Sequence, residues 1–412
     1  MKQFTGAEYL LIDVGTQFGL DKETFETRIE WAKAHLDELE SLVGKAEEPE
    51  LYMKVVMAVR KAQKGLPTGH MVGLDAICSG IQIMSVMCGC VKGARATGLV
   101  DKDVRSDAYT SITKAMERIL SSIMNITRKQ AKEATMAAFY GSTLVPKRLF
   151  GEDTPELKAF HLAAYQVAPG AWDMLESLLA SWQAGALAHS WKMPDGFDVR
   201  VKVMVKKEVR IEVDELAHST FTYEYEENEG EASGLSNAAN LVHSVDAYIM
   251  RSIHRRCNYD VEIIEGVKTL LDREIALRNQ SINIPWVNVT PKVIYYCDQY
   301  DRSGIADATI LPHIGFEDVK YLSDTHIGVL ITIVDEMLEH PPFEVVGIHD
   351  EYKCHPNHMN VLRKQYVNML CALADANVVQ DLLSQIHGVP GVYKKSSENL
   401  SDLIKESNYA LC

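Results

Sequence analysis

One carboxylate in an apolar run constrains this chain more than any other feature. Residues 69–90 read GHMVGLDAICSGIQIMSVMCGC, and Asp75 is the single formally charged side chain among them. Taking a carboxylate out of water is costly unless a partner or an ion compensates it. Glycines make the run a poor long strand, yet HMVGLD reads as a short buried one that delivers Asp75 to a strand end.

Length and composition set the frame for that acid. A chain of 412 residues is large enough for two or three domains or one multi-lobed catalytic body. At 47% hydrophobic and 24% charged it has ample material for a core. No apolar run approaches the roughly 18 residues of a membrane span. The opening MKQFTGAEYLLIDVG lacks the basic flank and cleavage site of a secretory signal. Eight cysteines without a CxxC pair favour a reduced, cytosolic compartment. A net charge of −15 argues against clinging to bare DNA by phosphate neutralisation. A local groove or a basic partner subunit can still supply the missing field.

Periodicity predicts mostly helix. Residues 22–43 and the stretch YMKVVMAVRKAQKG show amphipathic helical spacing, and helical patterns return over about 101–140 and from Thr154 through Trp191. Residues 197–226 change to strand alternation, with STFTYEYEE as partner strand of a hairpin. LVHSVDAYIMRSIHRR is a helix, 257–320 reads as irregular, and a helix near 324–339 leads into a strand that runs to His349 and Asp350. There is no internal repeat.

Three features share one chemical theme. Asp75 ends a strand; Arg128 and Lys132 stand at i and i+4 with Phe139 and Tyr140 two turns beyond; Asp350 follows a second apolar strand. Metal-assisted phosphoryl or nucleotidyl transfer needs carboxylates for two Mg²⁺ ions roughly 4 Å apart, a separate cationic cradle for the triphosphate, and an aromatic surface for base or sugar. Taken singly, each piece has a plainer reading. A strand-end Asp caps turns, Arg128 and Lys132 can be a solvated helix face, Tyr140 can belong to a core, and His349 can simply bond Asp350. CHPNH (354–358) lacks a fourth metal ligand and reads as a loop. Cys88 and Cys90 read as structural, and RSIHRRC (251–257) as a helix face.

Taken together and in this order, the features resemble the single-subunit, phage- and mitochondrial-type RNA polymerases of the polymerase A superfamily. Their motif A, Asp-Gly-Ser-Cys-Ser-Gly-Ile-Gln, is similar to Asp75 through Gln82. Motif B, Arg-xxx-Lys followed by Tyr-Gly, is similar to Arg128, Lys132, Tyr140 and Gly141; motif C, His-Asp, to His349 and Asp350. PDGF (194–197), LVHS (241–244) and the terminal LIKESNYALC look like further landmarks. The likeness spans about 20–412, with an added segment at about 257–320.

The resemblance implies an α+β, largely helical fold: a right-handed polymerase palm with a small antiparallel sheet, helical fingers, and the amino-terminal half missing. It divides the chain into a helical lead-in (1–65), palm with motif A (66–110), fingers with motif B (111–193), palm and hairpin (194–250, with a promoter-reading loop at 199–226), an insertion (251–323), and palm with motif C and a carboxy-terminal foot (324–412). Asp75, Asp350 and the backbone carbonyl of Ala76 would hold two Mg²⁺, beside His349. Arg128 and Lys132 would grip the triphosphate, Lys132 also protonating pyrophosphate. Tyr140 would contact the sugar and His243 help select the ribose 2′-hydroxyl. In A-type DNA polymerases a glutamate five positions after the motif A aspartate blocks that hydroxyl; here Gly80 leaves room for it, which separates RNA synthesis from the runner-up, a DNA polymerase. An inactive polymerase-like scaffold is the third reading.

Departures carry expectations too. Ala76 replaces a glycine, Ile83 stands where a histidine is common, and Glu133 replaces a second base after Lys132. The position of a triphosphate-binding basic residue falls on Glu30. The family's upstream Gly-Arg dipeptide occurs nowhere in the chain. The pattern is closest to the larger subunit of the split RNA polymerase of N-four-like podoviruses. It implies an obligate partner subunit that supplies the Gly-Arg element and positive charge, with DNA template, nascent RNA and nucleoside triphosphates as ligands, a single-strand-binding accessory protein, and work in the cytoplasm of an infected bacterium.

Overall fold

The computed structural model describes residues 1–121, 126–282, 285 and 288–412. The lead-in forms three helices: α1 (Gly6–Gly15), α2 (Phe25–Ala34) and α3 (Pro49–Gln63). Thr5 and Thr24 cap the first two by accepting first-turn amides, and Pro49 opens the third. The helix expected over 22–43 ends at Ala34. Beyond it the chain tightens into 3₁₀ turns that bury Leu39 and Leu42.

Strand β1 (Val72–Asp75) follows, then α4 (Ser79–Met87), α5 (Val91–Ala96), α6 (Ala108–Ile119), α7 (Arg128–Ala138), α8 (Leu144–Phe150), α9 (Pro155–Val167) and α10 (Pro169–Leu179). The expectation of helix across 101–140 includes residues 122–125, which lie outside the described residues. A helix expected to reach Trp191 stops at Leu179 instead. The residues behind it form β2 (Ala188–Lys192), which pairs antiparallel with β3 (Asp198–Lys202). Strand alternation explains the change: His189 and Trp191 point inward, and the Trp191 indole donates to Ser244 Oγ at 3.0 Å.

The predicted single strand beginning at 197 breaks at buried Val203. Beyond it, β4 (Met204–Val213) and β5 (Ser219–Asn228) pair over ten residues. The Asn228 amide holds the base by donating to the carbonyls of Leu187 and Val203, both at 2.7 Å. All of β5 is exposed, so this hairpin projects into solvent.

Helix α11 (Ser236–Cys257) returns the chain to the core. The segment read as irregular is helical: α12 (Val261–Asn279), α13 (Pro291–Ser303) and α14 (Asp318–Tyr321) join the expected helix α15 (Asp324–Leu338) around a second apolar core that includes Leu271, Val293, Leu311 and Val334. Prolines misled the reading because Pro291 opens a helix rather than ending one. Residues 283–284 and 286–287 of this segment lie outside the described residues. Arg255 of α11 binds it through Asp307 (2.9 Å), while Arg255 and Arg251 also hold Asp195 of the β2–β3 connection (3.0 and 2.8 Å). The RSIHRRC run is therefore a helix face with structural partners.

Strands β6 (Val345–Ile348) and β7 (Glu351–Cys354) precede α16 (Met359–Asp375), α17 (Val378–His387) and α18 (Leu400–Ile404). Together with β1 they make an antiparallel sheet in the order β1–β7–β6. The fold is thus α+β, mostly helical with small antiparallel sheets. Helices α4, α11 and α16 contribute Ile81, Leu241, Val245 and Leu370 to the main core, which Leu74 and Tyr352 of the sheet share. Buried Gln82 stitches that core to the chain's last residues. It donates to the carbonyls of Thr97 and Ala410 (both 3.2 Å) and accepts from Tyr366 Oη (2.6 Å).

Candidate functional site

Register decides what stands beside Asp75. Antiparallel pairing of β1 with β7 sets Asp75 opposite Glu351. The β6–β7 connection is the two residues His349 and Asp350, with His349 at φ +57°. Ala76 N–H donates to the Asp350 carbonyl at 3.1 Å, so backbone ties the two aspartate segments together. From the other side, Cys412 N–H donates to the Asp75 carbonyl at 2.9 Å. Gly73 shares the face of Asp75, and a side chain there would occupy the place of the Glu351 carboxylate.

Above these strands lies a cleft of about 440 Å³. Of the residues singled out in the sequence, Asp75, Ala76, Gly80, Arg128, Lys132, Tyr140 and Asp350 line it. His243 and His349 stand just outside the lining. The His243 ring lies 4.7 Å from that of Tyr140, and His349 is exposed at the sheet turn.

The acidic wall is electrostatically strained. The surface Asp75 exposes faces into the cleft, where protein surrounds it. Burial, then the charges of Asp350 and Glu351, push its carboxyl up to about 7, while Lys132 opposes them. Asp246, which the sequence reading passed over, is a fourth acid of the group: burial, then Asp350 and Asp75, push it up to about 7 as well. Its Oδ1 is buried and has no hydrogen-bond partner among the described residues. The available signal was its place in LVHSVD, one helical turn after His243.

On the basic wall, α7 starts with a capping box in which Thr127 and Gln130 exchange bonds. Arg128 Nε pairs with Asp107 Oδ2 at 2.6 Å. The Arg128 guanidinium and Lys132 ammonium lie 5.6 and 5.8 Å from the Tyr109 ring centroid. Burial raises the Asp107 carboxyl, but bonds from Arg128 and Thr110 outweigh it and hold it below its ordinary range. Neither Asp107 nor Tyr109 was anticipated, although an Asp ahead of AYTSI is a recognisable helix cap, and Asp107 does accept the Tyr109 amide. Phe139 and Tyr140 do not continue the helical face, because α7 ends at Ala138. Phe139 packs edge-on against Trp172 at 5.4 Å, while Tyr140 lines the cleft.

Tyr140 closes the third side. A Cβ at Gly80 would come within 3.2 Å of the Tyr140 hydroxyl, so the glycine is what lets the phenol stand there. Burial, then Asp246 and Asp350, push that phenol up to about 12 and keep it protonated. Burial, then His349, lower His243, which is therefore a neutral imidazole at pH 7. Glu30 is exposed on α2 and is not part of the cleft lining; Glu133 pairs with Arg148. Among the described residues, one cluster of three side chains could share an ion by proximity: Glu212, Asp214 and His218, all exposed beside the β4–β5 turn. It is a surface group unconnected with the cleft acids.

The raised Asp75 carboxyl has a thermodynamic signature. Its folded pKa of about 7 exceeds the ordinary 3.8, so between those values the folded state binds more protons. Stability of the ion-free protein therefore falls as pH rises through that window. Asp75→Asn should raise the melting temperature in EDTA, more at pH 8 than at pH 5. An equal gain at both pH values, or a loss, would contradict the strain.

A search of curated proteins returns no match to the chain. Residues 3–166 match the family model described as DNA-dependent RNA polymerase, a stretch holding Asp75 and the element from Arg128 to Tyr140. Over that stretch the chain is similar to the single-subunit, phage- and mitochondrial-type DNA-dependent RNA polymerases, which are nucleotidyltransferases by reaction.

Proposed function

We propose that the chain is the catalytic subunit of a phage RNA polymerase and adds ribonucleotides by a two-magnesium mechanism. The observation that carries this is the convergence, in one cleft, of Asp75 and Asp350 from separate strands with Lys132 facing them. Sheet β1–β7–β6 with α4, α11 and α16 serves as palm, and α6 through α10 as fingers.

The donor set fits hard divalent ions. Crowded carboxylate oxygens that hold one another's protons at neutral pH gain most from a cation between them. Asp75, Asp350 and the Ala76 carbonyl would be the ligands. Divalent ions held there would supply Lewis acidity to the attacking hydroxyl and positive charge to the leaving group. The chain's own groups do the rest. Arg128 and Lys132 draw the triphosphate to the basic wall, and Lys132 is the proton donor placed to serve pyrophosphate as it leaves. Protonated Tyr140 and neutral His243 present hydrogen-bonding groups at the sugar, above the gap that Gly80 leaves. Template and product strands are held with a second subunit that offsets the −15 charge. A single-strand-binding protein assists at the promoter, inside the infected bacterium.

Asp350→Asn should abolish nucleotide addition on a primed RNA–DNA hybrid while the protein still assembles with its partner. Undiminished extension by that variant would remove Asp350 from the chemistry. Gly80→Glu should shift selection from ribo- toward deoxyribonucleotides by at least about tenfold, the equivalent of a 1.4 kcal/mol clash; single-nucleotide incorporation with rATP against dATP measures it. The isolated chain should extend the hybrid far more slowly than material co-purified from infected cells, and equal rates would exclude an obligate partner.

A further inference from the structure

Three cationic side chains line the cleft, Arg105, Arg128 and Lys132, and they are not equivalent. Arg128 is held by Asp107 at 2.6 Å. Lys132 lies over Tyr109, and its charge reaches Asp75. Arg105 has no hydrogen bond and no ion pair among the described residues, and its Nε is buried without a partner. A guanidinium stays charged at any physiological pH, so a buried N–H left unbonded carries the full cost of desolvation.

Its surroundings make that cost larger. Behind it stands Arg28, fully buried, which donates to the carbonyls of Glu23 (3.1 Å) and Asp21 (2.6 Å) and to the Thr16 hydroxyl (3.0 Å), with Cys412 and the Asp21 carboxylate as its favourable electrostatic partners. The charges of Arg28 and Arg105 repel each other. Nothing in the fold calls for a cation at Arg105, since it holds no element in place. It sits in the loop before α6, two residues ahead of Asp107, and both face the cleft.

What would satisfy it is a ligand with concentrated negative charge at one end. The opposite wall carries Asp75, Asp350 and Glu351, which repel a simple anion unless it arrives with divalent cations. Polyphosphate with its metal ions meets both walls, and a planar guanidinium bonds phosphate oxygens in pairs. We propose that Arg105 is a triphosphate-binding residue of the incoming nucleotide, acting beside Lys132 on the basic wall of the cleft. This rests on the nucleotidyl-transfer reading of the cleft.

Equilibrium titration of the full chain with ATP, AMP and inorganic triphosphate, each with Mg²⁺, separates the two claims. For Arg105→Ala the dissociation constants of ATP and inorganic triphosphate should rise roughly tenfold to a hundredfold, the loss expected for charge-assisted bonds. AMP affinity should hold, and Arg105→Lys should fall between. The melting temperature should not drop, because no internal bond is lost. Arg118→Ala, which removes an exposed charge on α6, should change nothing. If Arg105→Ala binds triphosphate like the wild type while Lys132→Ala does not, the cleft reading stands and the assignment of Arg105 fails. A lowered melting temperature with equal losses for AMP would make Arg105 structural and overturn the assignment too. Absence of triphosphate binding by the wild-type chain would sink both.

Discussion

The antiparallel pairing of β1 with β7 is the interaction on which the site depends. It brings Asp75, Asp350 and Glu351 together although their charges oppose it. Side chains that repel cannot hold themselves in place, so the work falls to the backbone. The ladder from Val72–Cys354 to Asp75–Glu351, the Ala76 amide on the Asp350 carbonyl, and the Cys412 amide on the Asp75 carbonyl grip the acid from both sides. Each such bond contributes only about 1 kcal/mol net, but together they fix a geometry that would otherwise relax. Gly73 and buried Gln82 belong to the same device, one making room for Glu351 and the other anchoring the chain's last residues against the core.

Opposite this acidic floor, the fold sets up cations with equal economy. Helix α6 presents Asp107 and Tyr109, which position Arg128 and Lys132 through one ion pair and a shared aromatic face. A chain of net charge −15 thereby keeps a local positive wall. Field at a site follows from nearby charges inside a low-dielectric cleft, not from the sum over the surface. That is why overall acidity, a sound argument against binding bare duplex, says little about binding a triphosphate.

Much of this was legible in the sequence because it is local. Helical spacing predicted α3, α11 and α15, and apolar runs ending in Asp predicted β1 and β6. Seven of the nine residues singled out line one cleft. What escaped depends on distant partners. His189 and Trp191 continue an apparently helical run, yet pairing with β3 makes them strand. Helices α12, α13 and α14 form because the core they share, with Leu271, Val293 and Leu311, outweighs the prolines and short polar loops. Asp246 and Arg105 look like ordinary surface charges until the fold sets one against Asp350 and the other against Arg28. Periodicity reports which face of an element is buried, but not what it is buried against.

The surroundings of Gly80 show how an absence in sequence becomes a feature in space. Gly80 lies on the first turn of α4, where any larger residue would suit the helix better. The missing side chain matters because Tyr140 arrives from the end of α7 and sets its hydroxyl where that side chain would begin. Tyr140 in turn rests against His243 of α11, so three elements far apart in the chain share one contact. Both groups are neutral at pH 7 for physical reasons already present in the protein: the phenol is held protonated by burial and by Asp246 and Asp350, and the imidazole deprotonated by burial and by His349. Two neutral hydrogen-bonding groups thus stand beside an empty Cα, where neither attracts stray ions. The acids that strain the floor of the cleft thus also hold the Tyr140 phenol in its protonated form.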